Sequence, residues 1–467
     1  MKNKQAKINY ADLWGLREEK YKFLEENDVK STIWKQLQPK LPNYFFVIKN
    51  FSSEDTYNKF LRVSDIFKDY KSGVSTLRDH FVVAFNKSDL VNRMNIFKSN
   101  LSDDLIKSSL NLEDTRDWNL RLAREKFMKS NFKDNIYLYS YRPFDLRLIC
   151  YDQSLFDRGC SRIELMSNFF EANLGLILRR TSEKEWHHCF ITENIMDMNY
   201  LEARTYVFPL YLYGDKTEGS LFENELNKKR TNINTEFVAL LNQTYNPQPV
   251  TTPLGQQKTF GISPEQIFNY IYAILYSNIY RQKYQEFLKI DFPRIPFTKD
   301  YNLFKQLAEL GEQLVNLHLL KSKELDNPIS KFHGNNGNQV EKRGYEEKEK
   351  RVYINNKQYF GNIEPEVWNY FIGGYQVLDK WLKDRKGRVL SSEEVKHYCK
   401  VVTTLSETIG IQQKIDKLYP EVRDVILKRC PIALDGNMFL HPNSDAYLIS
   451  FMNCSNGGYI NYDEGAD

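Results

Sequence analysis

The sequence predicts an α+β fold: a β-rich core, packed helices behind it, and a C-terminal hairpin of long helices. Three observations predict this. Between residues 136 and 213 the runs "NIYLYSYRPFDLRLICY", "LGLILRR", "HCFIT" and "TYVFPLYLYG" are aromatic and β-branched, broken by Pro, Gly and Asn as strands are. From 264 to 322 the apolar residues change to helical spacing. Near the C-terminal end Trp368, Phe371, Tyr375, Leu378 and Leu382 repeat at three-four intervals, and so do Val395, Tyr398, Val402, Leu405 and Ile409.

In chain order, residues 1–135 form an α/β segment. "ADLWGLREEKYKFLEEN" has helical spacing through Leu13, Leu16, Tyr21 and Leu24, whereas "YFFVIKN" and "DHFVVAFNK" are predicted to be buried strands. Thr76, Arg78 and Asp79 fall at a loop–strand junction after a Gly-Ser-Thr turn. The core occupies 136–322, with strands over 136–213, a polar loop or insertion over about 215–260, and helices over 264–322. Ser263, Pro264 and Gln266 make a capping box with proline at the first helical position, and Pro293 and Pro296 end the helical run. Residues 323–350 are rich in Gly, Asn and mixed charge, which predicts a solvated linker. The hairpin takes 351–420. Gly387 stops its first helix, and Ser391 with Glu394 caps a second of roughly 39 Å. No periodicity marks the tail, 421–467.

Composition restricts the function. With 467 residues and 41% apolar content the chain can bury more than one core. A formal charge of +4 supplies no global field for a polyanion, so any basic surface is local. Neither a signal-peptide run nor an apolar span of membrane length is present, which predicts a cytoplasmic protein with no membrane partner. The six cysteines are scattered without a Cys-x-x-Cys pair. His187, His188 and Cys189 lack a matching second ligand pair, so no metal is expected. "GDKTEGS" has the glycine spacing of a phosphate loop but carries Ser220 where lysine is required. "DEGAD" has no phosphate loop to work with, and Glu394-Val395-Lys396 matches a nuclease motif tail only loosely. No catalytic residue and no cofactor site is assigned.

One segment stands out. Residues 141–180 hold six arginines and no lysine in a chain of 42 lysines and 23 arginines. Arginine offers a planar fork that pairs bidentately with a guanine edge, a phosphate or a carboxylate, so its use here points to geometry and not to charge alone. Five acids share the segment, and ion pairing is the competing explanation. Arg142, and Arg147 with Asp145, are expected to be fold-holding pairs. Arg158, Arg162, Arg179 and Arg180 fall nearer loops and strand ends, where recognition groups sit.

"YRPFDLRLICYD", "FPLYLYG", "SPEQIFNYIYAILYSNIYRQKYQEFLKIDFPRIPF" and "LAELGEQLVNLHLL" resemble, in order and spacing, the C-terminal target-recognition (specificity) region of type ISP single-polypeptide restriction-modification enzymes. "INYADLWGLREEKYKFL" and "GVSTLRDHFVVAF" look like the segment that follows the methyltransferase domain there, and "FIGGYQVLDKWLKDRKGRVLSSEEVKHY" like the terminal helices, so the resemblance runs over about 8–418. It implies sequence-specific recognition of double-stranded DNA by a β-rich target-recognition core. Thr76, Arg78, Arg158, Arg162, Arg179 and Arg180 are the expected DNA-binding residues. An Arg-Pro-Arg step of the family is spread here as Arg158-Gly159-Cys160-Ser161-Arg162.

The resemblance further implies a methyltransferase/ATPase polypeptide or domain as partner. S-adenosylmethionine, ATP and Mg2+ would belong to those other domains and not to this chain. Two alternatives stay open: a part of an adenine-N6 DNA methyltransferase or restriction enzyme that acts only in complex, and a structural partner that docks through its helical hairpin without binding DNA alone.

Overall fold

The computed structural model describes residues 6–39, 44–214, 229–245, 250–251, 257–258 and 261–426. They fall into two units, one of residues 1–52 with 429–467 and one of residues 53–428. The expected motifs at 214–220 and 463–467 lie wholly or mostly outside the described residues, as does nearly all of the tail. Among the described residues no helix is long and apolar enough to cross a membrane.

In the smaller unit, strands Ile8–Tyr10 and Lys35–Leu37 pair antiparallel. The expected helix forms over Arg17–Glu26, its start held by Glu19, whose carboxylate accepts from the Leu16 N–H at 2.9 Å. None of its residues is buried. The apolar run 44–50 is not a strand, contrary to expectation: Phe46, Val47 and Ile48 are exposed, and no strand pairs with the run among the described residues.

The larger unit is built on three four-stranded sheets. In the first, Ile195–Met196 lies parallel to Ile136–Arg142, which pairs antiparallel with Asp145–Cys150, and Val83–Ala84 completes the far edge. In the second, Lys71–Ser72, Thr205–Pro209, Gly175–Arg179 and Cys189–Thr192 follow one another, all antiparallel. The Ser140 and Thr192 hydroxyls join the two sheets at 2.8 Å. Residues before 135 thus supply an edge strand to each sheet, and the domain boundary expected at 135/136 does not exist. The strand expected at 79–87 is also shorter: Asp79–Val82 makes one helical turn before Val83–Ala84 extends.

Behind the sheets, Ser263 and Gln266 form the expected reciprocal cap, at 3.1 and 3.0 Å, on helix Pro264–Tyr276. This helix packs closely on Tyr301–His318, because a Cβ at Gly311 would come within 1.9 Å of the Asn269 carbonyl oxygen. Both touch the long helix Ser392–Leu418, whose 27 residues begin at the expected Ser391 cap. Part of the expected loop over 215–260 is a helix, Thr235–Tyr245.

Two corrections concern the C-terminal region. Residues 323–350 are not a linker. Lys331–His333 and Gly344–Glu346 are the outer strands of the third sheet, with Tyr359–Gly361 and Arg351–Tyr353 between them. Val352 and Phe360 reach the main core, and Phe360 meets Tyr398 of the long helix at 4.2 Å between ring centroids. With strands of three residues, each gives at most one or two side chains to the core, too few to outweigh the surrounding charge in a composition reading. Nor is 351–420 a plain helical hairpin. Trp368 ends a helical turn, Phe371–Ile372 and Tyr375–Gln376 form a ribbon, and the first helix is only Val377–Lys383. Trp381, Leu382 and Tyr398 are buried in the main core, so the apolar faces proposed for docking are already covered.

Candidate functional site

Three loops converge at one edge of the first two sheets. They are residues 72–79, 111–118 and 152–162, and a buried ion pair holds them together. Arg78 Nη1 lies 2.6 Å from Asp157 Oδ1, the two side chains being 5% and 8% exposed. Thr115 of the middle loop donates to the other Asp157 oxygen at 2.8 Å. The Arg78 guanidinium lies over the Trp118 ring at 3.9 Å, and the Trp118 N–H donates to the Ser154 carbonyl at 2.9 Å. A buried carboxylate shared by a guanidinium and a hydroxyl, with an indole beneath, leaves little freedom for any of the three loops.

The outer ends are tied as well. The Ser75 N–H donates to the Cys160 carbonyl at 3.1 Å, and Arg162 donates to Ser72 Oγ at 3.2 Å and to the Gly159 carbonyl at 2.8 Å. At the base, Asp79 accepts from Thr76 and from the Tyr141 hydroxyl, the latter at 2.8 Å. Gly73 is required where the first loop leaves its strand, since a Cβ would stand 2.6 Å from the Asp197 backbone. What emerges above this floor is Leu77, 64% exposed, together with Arg158 and Gly159. A Cβ at Gly159 would meet nothing within 4 Å, so a ligand can approach the backbone there.

The six expected DNA-binding residues therefore separate. Thr76 and Arg78 are buried and cannot enter a groove; their part is to hold the loops. Sequence inspection missed this because Asp157 lies far along the chain. Arg162 is a half-buried clasp between Ser72 and Gly159. Arg179 pairs with Glu202 at the end of a strand, and Arg180 lies 2.8 Å from Asp291, both of them part-exposed. Arg158 alone of the six is exposed and makes no ion pair among the described residues. Leu77 and Trp118 were not anticipated; nothing in an isolated leucine or tryptophan announces such a placement.

Arg147 Nη2 lies 2.8 Å from Asp145, its expected partner, and Arg385 Nη2 contacts the same carboxylate at 2.8 Å. Arg142, for which the sequence named no partner, pairs with Asp197 at 2.7 Å. Arg385 and Arg388 both reach Glu394 at 3.2 Å, while Arg147, Arg385 and Arg388 all lie over the Phe85 ring. Glu394 is thus a helix cap and an ion-pair partner of two arginines. Burial pushes the Asp145 carboxyl up, but Arg385 and Arg147 outweigh it and hold it below the usual range. At Asp197 burial wins over the single Arg142, and the carboxyl is raised. Cys189 is buried and its thiol pushed up, and no group of metal-ligating side chains occurs among the described residues.

Comparison with known proteins agrees with this architecture. The Type ISP C-terminal specificity domain family matches residues 65–414, and the chain belongs to that family. No curated protein matches it by sequence. Its fold is similar to that of DrdV, solved as a complex with DNA: TM-score 0.67, 21% identity, 88% of this chain and 43% of the other. It is similar to the Type ISP restriction-modification enzyme LlaGI, a nuclease-deletion mutant in complex with a DNA substrate mimic: TM-score 0.63, 18% identity, 87% and 33%. The ATP-dependent Type ISP enzyme LlaBIII, bound to DNA, gives a TM-score of 0.61 at 19% identity, covering 85% and 26%. The chain spans less than half the length of each of these structures.

Proposed function

We propose that this chain recognises a specific sequence of double-stranded DNA through the edge at which the three loops meet. The methyltransferase, ATPase and nuclease chemistry of a restriction-modification system, with its S-adenosylmethionine, ATP and Mg2+, would reside in other modules. The observation that carries this is a guanidinium left open, at Arg158, on loops otherwise locked by a buried ion pair, in a member of a specificity-domain family. Rigid loops on a sheet scaffold place a fork with the accuracy that a base edge demands, and Gly159 lets backbone come near a phosphate.

Selection from random duplexes at two salt concentrations tests it. Recognition predicts enrichment of one sequence at both, because base contacts survive salt that releases non-specific phosphate contacts. Enrichment of nothing, with binding lost uniformly as salt rises, refutes it.

A second reading is favoured by the smaller unit. Trp14, Leu16, Val29 and Ile33 are all exposed there, and the Arg17–Glu26 helix buries none of its residues. This is the surface of a segment that docks on a partner, and a methyltransferase-bearing polypeptide fits it. If that docking is obligatory, duplex selection succeeds only in the complex.

A further inference from the structure

Leu77 is the anomaly of the loop cluster. Its φ is +53°, in the left-handed region that a leucine adopts only at a cost, and its side chain is 64% exposed. Both neighbours are buried, Thr76 at 2% and Arg78 at 4% exposure. Thr76 accepts from the Arg78 N–H at 3.3 Å, Arg78 is clamped on Asp157, and Ser75 is tied to Cys160. Looseness therefore does not account for the exposure. The loop is built to hold one apolar side chain out in water in a strained conformation. Strain and exposed apolar surface both disfavour the free protein, and such features persist where a bound state uses them.

We propose that Leu77 is a wedge that enters between stacked base pairs of the bound duplex. This rests on the DNA-recognition reading above. A duplex is polyanionic outside; its apolar surfaces are the thymine methyl groups of the major groove and the faces of its stacked bases, and only the latter enclose a whole leucine side chain. The site has the matching order, an exposed guanidinium at Arg158 with no ion pair among the described residues and an open backbone at Gly159 on the loop that Ser75 contacts, and the single leucine between buried neighbours. Trp118 and the Arg78–Asp157 pair form the rigid backing that lets a side chain push bases apart without itself being pushed back.

The test uses the full chain and the duplex it enriches from a random pool, with 2-aminopurine placed at successive adenine positions. Wild-type protein is expected to raise the fluorescence at one step, the signature of unstacking. Leu77→Gly removes the wedge and relieves the backbone, so affinity falls by roughly tenfold or more and the fluorescence rise disappears, while Tm is unchanged or higher. Leu77→Met, which keeps an apolar side chain, retains affinity and fluorescence. The proposal is overturned if Leu77→Gly binds as wild type, if affinity falls with no step ever unstacked, or if Tm falls along with affinity, which would make the leucine a fold-holding residue. Failure of the wild-type chain to enrich any duplex, alone or with an upstream methyltransferase polypeptide, is the separate outcome that removes the DNA-recognition reading and the wedge with it.

Discussion

Arg147 and Arg158 belong to the same lysine-free stretch and meet opposite fates. Arg147 shares the buried Asp145 with Arg385 and lies over Phe85 and Tyr141. Arg158 stands in solvent with no ion pair among the described residues. The difference is set by the backbone around each. Arg147 faces Asp145, two residues back on its own strand, and Asp384, just past the helix Val377–Lys383. Arg158 precedes a glycine at φ +74° on a loop whose own carboxylate, Asp157, is already taken by Arg78. The fork that makes arginine suitable for reading a base makes it equally suitable for bracing a core, and composition alone does not separate the two uses.

Breaking the braced side should have the largest effect. Asp145→Asn removes the buried carboxylate charge that Arg147 and Arg385 share, leaving Arg385 with Glu394 and Arg147 with the more distant Asp384, and is expected to cost about 3–5 kcal/mol in urea unfolding. The affinity of molecules that remain folded should be unchanged, since Asp145 is no part of the loop cluster. At the open side the pattern reverses. Arg158→Ala should cost about 1–3 kcal/mol of binding and relax the preference at one base, with Tm unaltered, as competition between enriched and altered duplexes would measure. A uniform loss across sequences would instead make Arg158 a phosphate contact.

Acid sharpens the comparison from below. His318 packs against Phe144 of the braced hairpin turn and against Phe190, and burial, followed by nearby Arg281, pushes its pKa down to about 3. The unfolded chain takes up this proton near pH 6.5 and the folded chain does not, so stability falls as pH drops below that value. At pH 5.5 the loss from this group should be about 1 kcal/mol relative to neutral pH, read as a lowered urea midpoint. His318→Gln should flatten that slope. The smallest effect is expected at Arg180. Its ion pair with Asp291 has both side chains more than a third exposed, at 45% and 39%, so Arg180→Ala should change stability by no more than about 0.5 kcal/mol.

Local chemistry was legible and long-range pairing was not. The two capping boxes at Ser263 and Ser391 were readable because all of their partners lie within three residues. The strands at 136–150 were readable because Tyr137, Tyr139 and Tyr141, and then Leu146 and Leu148, recur at every second position. By contrast, Arg78 looked like a loop residue free to enter a groove, since its carboxylate, its indole and its strand neighbours come from three distant segments. The third sheet was hidden by strands so short that Val352 and Phe360 are isolated apolar residues among charges. Leu77 illustrates a further limit: a positive φ at a non-glycine residue is imposed by surroundings and leaves no mark in composition.

The Asp157 carboxylate carries a lesson for anyone wishing to retarget this chain. Because it fastens loops contributed by three stretches of polypeptide, exchanging one loop with a relative would discard half of the joint and displace the other two. New preferences are better sought by varying only the outward-facing tips, at positions 77 and 158, and leaving Arg78, Thr115, Trp118 and Asp157 as a fixed mount.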